Sequence, residues 1–384
     1  MRLDLPIKKL LLNQVDWTLF LFILPILGGG LFVMKSFTGG DMNFLTTFFG
    51  KQVIWIIISI IVFLACSISD FRILKRTKVL VFLFFLFTIL LSFLYIAGSK
   101  IKGAQSWFDL GSFSFQPVDF MKIILVLVLA KYFSRRHIEI AHFKHIFISG
   151  LYTLIPFTLV MFQPDFGSAI IFFFIWVGMI LVSGVSKKHL FLIFALATIA
   201  VVCLWIFVFA PYQKARIMTF IHPLTDVRGS GYNAYQSVIA VGSGGLLGKG
   251  VGYGTQSRLQ YLPEYETDFV FAAFAEEWGF VGVFIILFAF GAIFWRILTL
   301  SLVGASNFEM LFGMGMAILI ASHVFVNIGM NIGLLPVTGV TLPFMSYGGS
   351  HLLAEFTGLG ILMSMHRFAR SAHPDDMKNE FLGI

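Results

Sequence analysis

Ten stretches of this chain stay apolar for long enough to cross a bilayer as a helix: 17–34, 52–68, 79–97, 117–133, 146–162, 166–183, 189–210, 269–295, 309–331 and 351–369. A hydrocarbon core about 30 Å thick takes roughly 20 residues at 1.5 Å each, and helices pair every backbone amide inside it. The pattern predicts an all-α integral membrane protein, a polytopic bundle of about ten transmembrane helices. Residues 1–384 carry no dividing linker and read as a single membrane domain, with one large external loop, 211–268, between the seventh and eighth helices. The first run is followed by no small-residue cleavage site, so the first helix is expected to stay.

Polar residues break the pattern unevenly. The first helices are nearly pure Leu, Ile, Phe and Val. The fourth and the last three carry Asp119, Lys122, Glu276, Glu277, His323, Asn327, Asn331 and Glu355. Ionisable groups in a membrane are costly and by default face the bundle interior or a functional path. Composition agrees: 58% of residues are hydrophobic and 12% charged, against about 25% charged in soluble domains. Most of the surface must therefore face lipid. Cys66 and Cys203 both lie in apolar runs and form neither a disulfide framework nor a thiol metal site.

The net charge of +8 would suit nucleic acid, but its placement excludes that partner. Counting gaps alternately from inside, one set holds Arg2, Lys8, Lys9, Arg72, Lys75, Arg76, Lys78, Lys131, Arg135, Arg136, Lys144, Lys187, Lys188, Arg296, Arg367, Arg370 and Lys378. The short gaps of the other set hold only Lys35, Lys51, Lys100 and Lys102. Seventeen against four is a positive-inside pattern that puts both termini in the cytoplasm.

Two outer segments are rich in polar and helix-breaking residues, 98–120 and the long loop. Within the latter, GSGGLLGKGVGYG (242–254) has seven glycines in thirteen positions, which disfavours helix and permits close backbone approach. It is no phosphate-binding P-loop: Lys249 is followed by Gly250, and no glycine stands five before Gly248.

Asp119 and Lys122, at i and i+3, share a helix face and can pair. Thr267 and Asp268 open the eighth helix and are residue types that cap one. Alternatively, Asp268 is a catalytic base at the membrane surface, kept ionised by the helix dipole. Glu276 and Glu277, turned away from Asp268, read as interhelical hydrogen-bonding groups. His323, Asn327 and Asn331, spaced i, i+4, i+8, read as interhelical glue. His323 lacks a second histidine at ligand spacing, so a metal site is not expected there.

Four blocks then appear together: WFDLG…FQPVDFMK (107–122), QPDFGSAI (163–170), VGSGGLLGKGVGYGTQSRLQYLPEYETDFVFAAFAEEWGFVG (241–282) and FVNIGMNIGLLPVTGVTLPFMSYGGS (325–350). Their content and order resemble the SEDS family (shape, elongation, division and sporulation), nearer its RodA branch than its FtsW branch. The resemblance implies a peptidoglycan glycosyltransferase that polymerises lipid II into glycan strands. It would work at the outer face of the bacterial cytoplasmic membrane, for cell elongation and shape, beside a class B penicillin-binding protein transpeptidase. The family's essential aspartate falls on Asp268, and its acidic residue and lysine fall on Asp119 and Lys122. Departures from the family pattern are Val118 for serine, Asp119 for glutamate, Ser106 for a basic residue and Glu266 for histidine.

Joining a β-1,4 bond from an α-linked diphosphate donor requires attack from the opposite face, an inverting reaction. Asp268 is then the base or hydroxyl-orienting group. Lys214, Arg216, Arg228, Lys249 and Arg258 are the candidate cations for the diphosphate. A divalent cation would share that task, though no ligand cluster in the sequence identifies one. The rivals are a flippase of lipid-linked precursors, with the intramembrane charges lining its path, and a non-catalytic scaffold of the cell-wall machinery.

Overall fold

The computed structural model describes residues 16–36, 44, 47–101, 104–109, 111, 114–135, 143–184, 206, 214, 218–221, 231–304 and 306–371. Its helices are α1 (Trp17–Ser36), α2 (Phe48–Ile68), α3 (Thr77–Ala97), α4 (Pro117–Ser134), α5 (Phe143–Phe162), α6 (Phe166–Val182), the short α7 (Tyr232–Ser243) and α8 (Thr255–Arg258), α9 (Val270–Leu302), α10 (Asn307–Asn331) and α11 (Gly349–Ser371). The nine long ones fall on nine of the ten apolar runs. The seventh run, 189–210, lies outside the described residues except for residue 206, as does Cys203. Among the described residues, α1, α2, α3, α5, α9 and α10 are long and apolar enough to cross a membrane by themselves. The fold is a polytopic helical membrane bundle.

Burial orders the helices. α4 is buried on nearly every side, from Val118 through Ala130, and α10 along most of its length. By contrast α2 and α3 present Ile57, Ile61, Phe82, Phe85 and Ile89 outward. A helix apolar all round belongs inside or in lipid, and here both fates occur. α10 packs on α4, α6 and α9; α11 lies along α2, and α1 along α9. Lipid is as apolar as leucine, so close packing rather than hydrophobic burial holds such helices together. At Gly360, for instance, an added Cβ would meet Phe63 O at 2.9 Å and Cys66 Cβ at 2.6 Å.

The segment before α4 is not helical but a small antiparallel sheet, an addition to the all-α expectation. β1 (Ser99–Ile101), β2 (Ala104–Asp109) and β3 (Ser114–Phe115) run in that order, with Phe108 opposite Phe115. The Gln116 amide donates to Ser350 Oγ at 3.0 Å, tying the sheet's exit to the start of α11.

Basic residues sort by end. Arg296 pairs with Asp16, Lys75 with Glu309 at 3.0 Å, and Arg367 donates to the Ile68 carbonyl at 2.9 Å. These lie where α2, α9 and α11 finish, and the opposite end, where those helices begin, holds the cavity described below. Arg296, Lys75 and Arg367, three members of the inner basic set, thus lie toward the end of the bundle away from the cavity.

Candidate active site

The site is assembled around a break in α9. At 33 residues, that helix would run about 50 Å, well beyond a hydrocarbon core of about 30 Å. It is interrupted at Gly279, whose φ of 64° and ψ of −165° leave the helical region. Breaking a helix orphans backbone groups on both sides, and the glycine-rich segment satisfies them. Lys249 N and Gly250 N donate to Glu276 O and Glu277 O at 2.9 and 3.0 Å. Phe280 N and Val281 N donate to Gly245 O and Leu246 O at 2.9 and 3.1 Å. Such contact needs glycine: at Gly248, with φ +80°, a Cβ would stand 2.1 Å from Glu277 O.

The two glutamates beside the break serve this docking, and Glu276 does so partly as the interhelical group expected, through α8. Glu276 is fully buried and accepts from Lys249 Nζ (2.8 Å), Thr255 Oγ1 (3.1 Å), Gln256 N (3.0 Å), Ser257 N (3.3 Å) and Ser257 Oγ (3.1 Å). Glu277 accepts from Gly252 N at 2.9 Å. Helix periodicity showed which way they point but not that the glycine-rich segment and the short α8 behind it would meet them. Lys249, a candidate for the diphosphate, is committed to Glu276 and Thr255. Arg258 reaches Gly252 O at 3.5 Å. Neither lines the cavity, nor does Lys214; Arg216 and Arg228 lie outside the described residues.

Asp268 is not a helix cap. α9 begins at Val270 behind Phe269, without any side-chain cap, and Asp268 belongs to the preceding turn. Its position is set from α10 instead: Asn327 Nδ2 and Asn331 Nδ2 each donate to the Asp268 carbonyl at 3.0 Å. Asn327 also donates to Val340 O at 2.7 Å, and Asn331 Oδ1 accepts from Ala272 N at 3.1 Å. One turn earlier on the same stripe, His323 Nδ1 faces Thr341 O at 3.3 Å and Nε2 faces Lys122 Nζ at 3.4 Å. The expected glue is present, and it fixes the start of α9, the 337–341 segment and α4 in one frame.

Those elements surround a cavity of about 1340 Å³, larger than the usual small-ligand pocket of about 300–1,000 Å³. The beginnings of α2, α4 and α11, the β2–β3 strands and the 264–269 and 337–341 turns line it. Asp268, Asp119 and Lys122 all contribute to its wall. Asp119 and Lys122 pair at 3.0 Å, both nearly fully buried. His351 escaped the sequence reading, and Glu355 was singled out there only as an intramembrane charge. His351 Nδ1 stands 3.3 Å from Asp119 Oδ1, and its Nε2 stands 2.9 Å from Glu355 Oε1, in ion-pair contact though out of line for a hydrogen bond. The i, i+4 spacing of His351 and Glu355 was the available signal.

The lining is rich in carboxylates: Asp109, Asp119, Asp165, Glu264, Glu266 and Asp268. Its lysines among the described residues are Lys51 and Lys122. Asp165 caps α6, accepting from Ser168 N at 2.9 Å. Burial pushes the Tyr347 phenol above its ordinary value, and burial with Glu266 alongside does the same at Tyr265, so both stay protonated near neutral pH. Among the described residues no three His, Cys, Asp or Glu side chains converge to hold a metal ion.

Residues 16–371 match the family described as Cell cycle protein, FtsW/RodA/SpoVE. The peptidoglycan glycosyltransferase MrdB of Escherichia coli (strain K12) is 36% identical over 365 residues, covering 94% of this chain and 97% of its own. A chain solved in work on structural coordination of polymerization and crosslinking by a peptidoglycan synthase complex superposes with a TM-score of 0.78. It is 29% identical, and the match covers 93% of this chain and 99% of that one. The crystal structure of the Thermus thermophilus Rod shape determining protein RodA gives a TM-score of 0.68 at 29% identity, over 92% and 96% of the two chains.

Proposed function

Because the chain belongs to the FtsW/RodA/SpoVE family, we propose that it is a peptidoglycan glycosyltransferase that polymerises lipid II, with Asp268 as its base. The observation that carries the site is the shared wall: Asp268, Lys122 and Lys51 line one cavity of about 1340 Å³. The acceptor hydroxyl attacks the anomeric carbon of the donor from the face opposite the diphosphate. Its proton passes to the Asp268 carboxylate. The bond from that carbon to the phosphate oxygen breaks, and its electron pair leaves on the diphosphate, which cations stabilise. Lys122 and Lys51 take that role ahead of Lys249 and Arg258, which point their charge elsewhere; Lys214, Arg216 and Arg228 remain candidates from the long loop. Anchoring the Asp268 carbonyl by two asparagines holds the carboxylate's backbone still, as a positioned base requires.

In this reading the protein spans the bacterial cytoplasmic membrane several times, with both termini cytoplasmic and the cavity at the outer face. It hands its strands to a class B penicillin-binding protein transpeptidase, for cell elongation and shape. The test is purified protein with lipid II and that partner, comparing the parent with Asp268→Asn. The parent is expected to form glycan polymer. The variant is expected to lose at least about a hundredfold in rate, within the range for removing a general base, at an unchanged melting temperature. Scrambling of lipid II between leaflets without polymer would decide for a flippase instead.

A further inference from the structure

We propose that Asp119 offers its second carboxylate oxygen, Oδ2, to a hydroxyl or amide N–H of the sugar substrate, while Lys122 and His351 hold the carboxylate through Oδ1. The proposal rests on the glycosyltransferase reading and assigns a contact within its cavity. Both cationic partners meet the same atom: Lys122 Nζ lies 3.0 Å and His351 Nδ1 3.3 Å from Oδ1. Oδ2 has no hydrogen-bond partner among the described residues, although Asp119 is only 4% exposed and forms part of the cavity wall. Leaving a buried carboxylate oxygen without a donor is unfavourable, so such an atom marks a place where something else donates.

The surroundings fix what that donor is. His351 stands between carboxylates, with Asp119 on one nitrogen and Glu355 Oε1 2.9 Å from the other. An imidazole facing carboxylate oxygens on both sides is at its most stable when it carries both protons. Glu355 is held in turn by the Phe344 amide, 3.0 Å from Oε2. His323, whose ring lies 4.7 Å from that of His351, faces the Thr341 carbonyl with Nδ1, so its Nε2 is the side that accepts a hydrogen bond from Lys122 Nζ. Two carboxylates thus meet two cations, and the cluster is balanced before any substrate arrives. An ionised carboxylate oxygen only accepts. It therefore suits the hydroxyls and acetamido N–H of a sugar, and leaves the diphosphate to the cations. Asp119 becomes a contact for the sugar, and His351 with Glu355 its positioning pair.

The test uses the full chain carrying Asp268→Asn, so that binding is read without turnover, and two probes, lipid II and undecaprenyl diphosphate. Adding Asp119→Asn turns the free acceptor into a donor without changing its size. Lipid II affinity is expected to fall about tenfold or more, an amount typical of a lost hydrogen bond to a charged group, while undecaprenyl diphosphate, facing a Lys122 charge no longer neutralised, binds no more weakly than before. Equal loss for both probes, or loss for neither, overturns the proposal. If that variant does not fold, His351→Leu/Glu355→Leu removes the positioning pair with no net charge stranded. It is expected to weaken lipid II alone, and unchanged lipid II binding overturns the proposal there too. Failure of the parent to bind either probe would instead strike the glycosyltransferase reading itself.

Discussion

Two lysine–carboxylate pairs, each with its carboxylate buried, have opposite surroundings. Glu276 and Lys249 meet at 2.8 Å, Asp119 and Lys122 at 3.0 Å. Glu276 takes five donors spread over both oxygens and sits behind the glycine-rich segment, away from the cavity. Asp119 takes its donors on one oxygen and lies on the cavity wall. A saturated carboxylate has nothing left to offer a ligand, so its charge is spent on architecture. An unsaturated one, on a residue of the cavity wall, retains an acceptor for a ligand to meet. Hydrogen-bond saturation of the carboxylate, rather than its burial or charge, separates the two.

The largest effects should come from the unsaturated pair. Removing one partner strands a buried charge, at a cost of about 3–5 kcal/mol. Asp119→Ala and Lys122→Ala are each expected to lower the melting temperature sharply and to abolish lipid II polymerisation. The double variant leaves His351 and Glu355 neutralising each other, so its stability should largely return. Its polymerisation should not, if Lys122 and Asp119 meet the substrate. Thermal melting and polymerisation measured on all three variants decide the matter. Recovery of both together would reduce the pair to architecture and erase the contrast with Glu276.

How much of this was legible in the sequence follows from where the constraint lies. Bilayer thickness dictates run length, so nine helices fall within a few residues of their apolar stretches, and α4's Asp119 and Lys122 pair as their spacing implied. The asparagine stripe of α10 was legible as glue for the same reason: i, i+4 positions share a face whatever they touch. Partners from distant segments were not. Periodicity says that Glu276 points inward, but not that residues 249–257 fold back onto it. Asp268 had the chemistry of a cap, yet Asn327 and Asn331, some sixty residues later, hold its carbonyl in a turn outside the helix. The break at Gly279 left no mark, because glycines such as Gly279 and Gly282 read the same in an unbroken helix. Lys51 was counted only as a loop charge, and its place beside the cavity depends on how α2 meets α11.

A middle-sized effect tests the glycine-rich docking. Gly248→Ala places a Cβ 2.1 Å from Glu277 O and keeps φ at +80°, a combination of clash and strain worth about 1–3 kcal/mol. The melting temperature should fall and polymerisation with it, because α9 begins next to Asp268. Gly245→Ala, at φ +55° with nothing within 4 Å of the new Cβ, should cost only the strain. Equal losses at the two positions would mean that close approach to α9 is unimportant.

The smallest effect is expected at Lys249, and it bears most directly on the contrast. Lys249→Met keeps the length of the stem and removes the charge. Glu276 then retains Thr255, the Gln256 amide and both donors of Ser257, four of its five. The lysine side chain is 27% exposed, so solvent already screens part of its pairing. Stability should fall by about 1 kcal/mol, the scale of one hydrogen bond. Polymerisation should stay within about threefold of the parent, less than 1 kcal/mol of barrier. Lys122→Met, assayed in parallel, should lose activity far beyond that range. If instead Lys249→Met holds its melting temperature and loses polymerisation a hundredfold, Lys249 leaves Glu276 to meet the diphosphate during the reaction. Saturation in the resting protein would then no longer distinguish an architectural lysine from a working one.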